Sequence, residues 1–192
     1  KKWYDEGLKI YTQKYFGEGI DVRSERITFP IHNKDGELIG VKGRYCGLNK
    51  EIEDLYKYLY IVPCNKSIEL YNFHRALPHI KRLKEVIIFE GAKSTWFATQ
   101  WGFPNCVSIE GDKLSDEQIK LLKSLGLDIR LVFAYDKDKD KEFVKDEVSR
   151  LTGRMRYGIL DTSNLLVDKD SPIDKGIDVW KHLYKLNKYR IN

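Results

Sequence analysis

What the chain lacks narrows its class before any motif is read. None of its apolar runs approaches the roughly 20 residues of a membrane span. The N-terminal stretch KKWYDEGLKIY is charged and has no apolar core of the kind a secretory signal needs. Cysteine is scarce: Cys46, Cys64 and Cys106 are far apart, form no CxxC pair and are odd in number. That pattern argues against a disulfide framework and for a reducing cytoplasm. His32, His74, His79 and His182 form no ligand-spaced cluster, which argues against zinc. There is no internal repeat and no Gly/Ser or Pro linker.

What is present fits a packed protein. Hydrophobic residues make up 42% of the 192 and aromatics 12%, enough for a core and against wholesale disorder. The length suits one compact domain or two small ones. The formal charge of +5 is a mild excess that fits a polyanionic partner without demanding one.

The character changes near residue 84. Before it, ITFPI and LIGVKGRY flank HNKDGE, and Asn33–Gly36 is a turn signal, so a β-hairpin is expected. YLYIV is a further strand candidate. Lys and Arg are frequent here, with tyrosines interleaved. After residue 84, strand and helix patterns alternate. VIIF (86–89), CVSI (106–109), IRLVFAY (129–135) and YGIL (157–160) are short apolar runs suited to buried strands. Between them lie helical patterns at 93–101, from Ser115 with a capping-box Gln118 to a stop at Gly126, and through Val144, Val148 and Leu151. This order implies a parallel sheet covered by helices.

Carboxylates stand where that architecture puts chemistry. Glu90 follows the first strand (VIIFEG) and Asp136 the third (LVFAYD), both at the carboxyl edge of the sheet. Asp138 lies two residues on, on the same side if the stretch stays extended. Asp140 either continues that side or starts the next helix. Three readings of DKDKDK compete. A charge tract alone is usually a solvated surface. As a calcium loop it fails, because Lys141 occupies the position that needs glycine and the preceding segment is β-rich. As a magnesium site it gains over the solvated tract only through its pairing with Glu90, each ending a buried strand, because one or two carboxylates per ion suffice when substrate phosphates complete the shell. Gly91 leaves room for backbone or substrate beside Glu90.

These residues resemble a known family. VIIFEGAKSTWFATQWGFPNCVSIEG followed by LVFAYDKDKD is similar to the TOPRIM domain shared by DnaG-type primases, topoisomerases and some nucleases. Its marks are an acid-Gly pair after the first strand, here Glu90-Gly91, and a D-x-D after the third, here Asp136-Lys137-Asp138. Upstream, RITFPIHNKDGELIGVKGRY (26–45) and KYLYIVPCNKSIELYNFHRA (57–76) look like the opening of a DnaG-type primase core, with phage versions nearest in flavour. KDSPIDKG (169–176) resembles the acidic motif these primases carry after the TOPRIM. Two positions depart from the pattern: Ser94 and Lys137 stand where the family often has Asp and Gly.

The resemblance implies an α/β protein in three parts. A basic α+β subdomain would span 1–84, a TOPRIM domain with a Rossmann-like, mainly parallel sheet 85–162, and a segment with the acidic motif and a helix 163–192. It implies a primase core making short RNA primers on single-stranded DNA from ribonucleoside triphosphates. Mg²⁺ or Mn²⁺ would bind Glu90, Asp136 and Asp138, with Asp140 as a helper and Asp170 as a further acid. Lys42, Arg44, Lys57, Lys66 and Lys93 would contact template or nucleotide. A replicative helicase would be the protein partner, in the cytoplasm of a bacterium or phage-infected host. Neither zinc-ribbon cysteines nor a G-x-x-x-x-G-K-[ST] loop occurs. The alternatives are a TOPRIM nuclease or topoisomerase-like enzyme, and a non-catalytic module that binds single strands or a helicase.

Overall fold

The computed structural model describes residues 2–192, which form two compact units meeting between Asn65 and Lys66. Among these residues no helix is long and apolar enough to cross a membrane.

The first unit opens with two short helices, α1 (Lys2–Asp5) and α2 (Ile10–Phe16). Strands β1 (Gly19–Asp21), β2 (Arg26–His32) and β3 (Leu38–Tyr45), helix α3 (Lys50–Tyr56) and strand β4 (Tyr58–Val62) follow. The strands pair in sequence order as an antiparallel sheet. The expected hairpin is β2–β3. Its turn is set by Asn33, whose Oδ1 accepts from the amides of Asp35 (3.0 Å) and Glu37 (2.9 Å), and by Gly36 at φ 87°. Alternate β2 side chains Ile27, Phe29 and Ile31 are buried, and Trp3 meets Phe29 edge-on at 6.2 Å. Asn49 caps α3 by accepting from the amides of Glu51 and Ile52.

The second unit begins with a single 3₁₀ turn and α4 (Phe73–Leu83), then alternates β5 (Glu85–Phe89), α5 (Ala92–Gln100), β6 (Cys106–Ser108), α6 (Asp116–Ser124), β7 (Arg130–Phe133), α7 (Lys141–Glu147) and β8 (Met155–Ile159). It closes with α8 (Ile177–Leu186) and β9 (Lys188–Arg190). The sheet order is β6-β5-β7-β8-β9, parallel except for β9. The interior strand β5 is buried along its whole length, as the apolar run 86–89 predicts.

Several details differ from the sequence reading. Residues 66–84 go with the second unit, because Leu70, Phe73, Ala76 and Ile80 share one buried cluster with Val86, Ile88 and Leu131. The capping box of α6 is present at Ser115 and Gln118, but the helix stops at Ser124 and Gly126 carries no left-handed turn. Leu125 leaves the helix extended, and the Arg154 guanidinium donates to the carbonyls of Leu125 (2.6 Å) and Gly126 (2.7 Å) in place of a glycine cap. The C-terminal segment adds a strand, β9, as well as the expected helix.

Candidate active site

Strand order places the acids. From β5 the chain crosses through α5 to β6 on one side, and from β7 it crosses through α7 to β8 on the other. Neighbouring β5 and β7 therefore form the switch point of the sheet, where outgoing connections diverge and leave a crevice at the carboxyl ends. Glu90 is the first residue after β5. After β7 the pairing runs on as the Ala134 amide donates to the Ile88 carbonyl at 2.8 Å, and the chain turns away at Asp136.

The two acids are linked directly. Glu90 Oε1 accepts from the Asp136 backbone amide at 2.9 Å. Burial pushes the Asp136 carboxyl up to about 7, with the charges of Glu90, Asp174 and Asp138 adding and Lys139 opposing. Burial also raises Glu90. The Asp136 amide and Lys139 oppose that shift, while Asp138 and Asp112 add to it. Glu90 and Asp136 are thus carboxyls poorly reached by water, and the charge of the exposed Asp138 adds to the cost of ionising both. Lys139 lies among them, its Nζ 2.8 Å from Asp138 Oδ2 and 3.9 Å from Glu90 Oε2.

The remaining acids are employed differently. Asp140 caps α7, its Oδ1 accepting from the Phe143 amide at 2.8 Å. The Asp170 carboxylate accepts from the Val167 amide and pairs with Lys175 at 3.0 Å. Burial works against ionisation of Asp170, but these partners hold it below its ordinary value. Asp170 reaches the acid loop through its backbone, the Lys137 amide donating to its carbonyl at 2.9 Å. The Lys137 side chain turns away from the three acids and pairs with buried Asp161 at 3.1 Å. Asp161 also accepts from the amides of Ser163, Leu165 and Leu166, which anchors the loop after β8.

The expected basic contacts fall in both units. In the first, Lys42 Nζ lies over the rings of Tyr58 (4.9 Å) and Tyr60 (5.5 Å), a cation flanked by aromatic faces. Arg44 is buried in β3. It pairs with Glu53 at 2.7 Å and donates to the Tyr45 carbonyl. Lys57 is exposed at the end of α3. In the second unit, Lys66 donates to the Glu110 carbonyl at 2.6 Å, and Lys93 pairs with Asp174 at 3.2 Å. Ser94 shares a buried hydrogen bond with Ser171 at 2.7 Å. This bond and the Lys93–Asp174 pair tie the 169–176 motif to the first turn of α5.

Sequence reasoning missed Asp174 and Lys139 as members of the site, and Asp161 as the anchor of its loop. Asp174 lies inside the quoted KDSPIDKG motif, so the signal was available. Asp161 ends the strand candidate YGIL, the same cue that pointed to Glu90 and Asp136.

A divalent ion fits this donor set by its chemistry. The groups are oxygen donors, burial makes Glu90 and Asp136 costly to ionise without a nearby cation, and a lysine ammonium already sits against Asp138 and Glu90. Among the described residues no three His, Cys, Asp or Glu side chains are drawn into a single coordination sphere.

No family model matches the chain. The DNA primase of Staphylococcus aureus (strain MSSA476) is 30% identical over 157 residues, which is 79% of this chain and 24% of that protein. The SPbeta prophage-derived uncharacterized protein YorJ of Bacillus subtilis (strain 168) is 28% identical over 211 residues, 95% of this chain and 55% of that protein. The chain thus spans about a quarter of the length of that primase and about half of the prophage protein. The RNA polymerase domain of Mycobacterium tuberculosis primase DnaG, solved with a double-stranded DNA oligomer bearing a 6-nucleotide overhang, superposes with a TM-score of 0.79 at 15% identity, covering 99% of this chain and 73% of that one. The Escherichia coli primase catalytic core gives 0.72 at 19% identity, covering 99% and 72%. A DnaG primase catalytic domain bound to single-stranded DNA gives 0.73 at 19%, covering 98% and 70%. The likeness to DnaG-type primases expected from the motifs is borne out in sequence and in fold.

Proposed function

We propose that this chain, which has the fold of a DnaG-type primase catalytic core, is the nucleotidyl-transferring core of a primase. It would extend RNA on a single-stranded DNA template, the 3′-hydroxyl of the growing strand bonding to the α-phosphorus of a ribonucleoside triphosphate as pyrophosphate leaves. The observation that carries the reading is the Glu90–Asp136 pair, hydrogen-bonded at 2.9 Å at the switch point of the parallel sheet. Mg²⁺ or Mn²⁺, held by Glu90, Asp136 and Asp138, would supply positive charge for the triphosphate.

The chain's own residues do the rest. Burial keeps the Asp136 carboxyl poised for a cation. α5 starts at Gly91 with no side-chain cap, and a Cβ there would meet nothing within 4 Å, so phosphate has access to the positive end of a helix. Lys42 between Tyr58 and Tyr60 suits a single strand, which combines phosphate charge with stackable bases. A single-stranded template also agrees with the DNA-bound relatives.

The test is template-dependent incorporation of labelled ribonucleotides on single-stranded DNA with Mn²⁺ or Mg²⁺, by the chain alone and supplied with the accessory domains of a related primase. Glu90→Gln and Asp136→Asn should each lower the rate by about 10²-fold or more with circular dichroism unchanged. Full activity in both variants would remove the site assignment. Metal-dependent nicking of plasmid DNA without synthesis would indicate a TOPRIM nuclease instead.

A further inference from the structure

Lys139 stands where a cation belongs. Its backbone amide donates to the Asp136 carbonyl at 3.0 Å, a turn that folds the residue back over the acid loop. Its Nζ then lies 2.8 Å from Asp138 Oδ2 and 3.9 Å from Glu90 Oε2, with the side chain only 16% exposed. Neighbouring Lys141, by contrast, is exposed and lies over the Tyr189 ring at 5.3 Å.

We infer that Lys139 is a tethered counter-ion that occupies the acid crevice until a divalent ion displaces it. The inference rests on the reading of Glu90, Asp136 and Asp138 as metal ligands. An ammonium and a divalent ion compete for the same carboxylate lone pairs. Mg²⁺ needs oxygens at about 2.0–2.1 Å in near-octahedral array, and an ammonium hydrogen-bonded to Asp138 and paired with Glu90 stands in its way. One monovalent ammonium contacts only Asp138 and Glu90, so the more highly charged ion, which can also engage Asp136, still enters. The Phe143 ring, 5.7 Å from Lys139 Nζ, adds a cation–π contact that helps hold the ammonium beside the acids. The tether thus keeps the acids compensated without metal, at a cost in metal affinity.

The test is Mn²⁺ titration by calorimetry on the wild-type chain and on Lys139→Met, Lys139→Arg, Lys141→Met and Glu90→Gln. If Lys139 blocks the crevice nine-tenths of the time, Lys139→Met should tighten Mn²⁺ binding about tenfold. Lys139→Arg, which keeps the charge, should tighten it less. Lys141→Met should leave it near wild type, and Lys139→Met should melt at a lower temperature than wild type without metal. Unchanged or weaker Mn²⁺ binding in Lys139→Met would overturn the inference. Equal tightening in Lys141→Met would also overturn it, by assigning the effect to general charge. Failure is distinguishable from that of the underlying reading. If wild type and Lys139→Met both bind no Mn²⁺, or Glu90→Gln binds as well as wild type, the metal site itself falls and the inference falls with it.

Discussion

At the scale of single residues, the informative quantity is the cost of ionising Asp136. Its carboxyl rises from an ordinary 3.8 to about 7 in the folded chain, chiefly through burial. The folded state therefore prefers the protonated form. Its contribution to stability is complete below about pH 4 and is lost as pH rises through about 7. Without metal, the melting temperature should fall between pH 5 and pH 8. Asp136→Asn should flatten that slope, gaining on the order of 1–3 kcal/mol over wild type at pH 8. Parallel melting curves for the two proteins would refute this account. Glu90, Asp136 and Asp138 were legible in the sequence because each ends or follows a buried apolar run. Asp174 was within reach in the KDSPIDKG motif, but Lys139 was not, because its place depends on a loop turn that no periodicity encodes.

At the scale of elements, the loop after β8 is held by one carboxylate. Asp161 is buried and accepts from three backbone amides and from Lys137. Asp161→Ala would strand those donors, and urea denaturation should show a loss of about 2–4 kcal/mol. Ser115→Ala removes one half of the α6 capping box and should cost about 1 kcal/mol by the same measurement. The hairpin and the alternating strands and helices were readable because their periods of 2 and 3.6 are local. α4 went unread. Its apolar positions Phe73, Ala76 and Ile80 keep helical spacing, but Pro78 lies inside the helix and basic residues surround it. β9, the polar triplet Lys188–Arg190, has no strand signal of its own and exists because β8 offers an edge.

At the scale of the whole molecule, the second unit is tied together across its sequence. Glu85, at the start of β5, meets Arg130 at 3.1 Å, Lys188 at 3.4 Å and the Tyr184 hydroxyl. It joins β5 and β7 to the two C-terminal elements while only 2% exposed. Glu85→Leu would leave those partners, themselves partly exposed, without their shared carboxylate, and denaturation should show a loss of about 1–3 kcal/mol. The unit boundary can be tested by truncation. A chain of 66–192 should unfold cooperatively, whereas one of 85–192 should not, because it lacks Leu70, Phe73, Ala76 and Ile80 from the buried cluster. Equal cooperativity in both would move the boundary back toward residue 84.

The sequence by itself determined the strand–helix alternation, the hairpin, and the acids that end the buried strands. Burial periodicity and turn chemistry are local properties, and a chain displays them whether or not it is folded. Only the tertiary structure decided the strand order β6-β5-β7-β8-β9, the passage of residues 66–84 into the second unit, and the lysine lodged among the acids. These depend on which distant surfaces exclude water together and on how a crevice left short of solvent finds its counter-charge, and neither is written in any short stretch of residues.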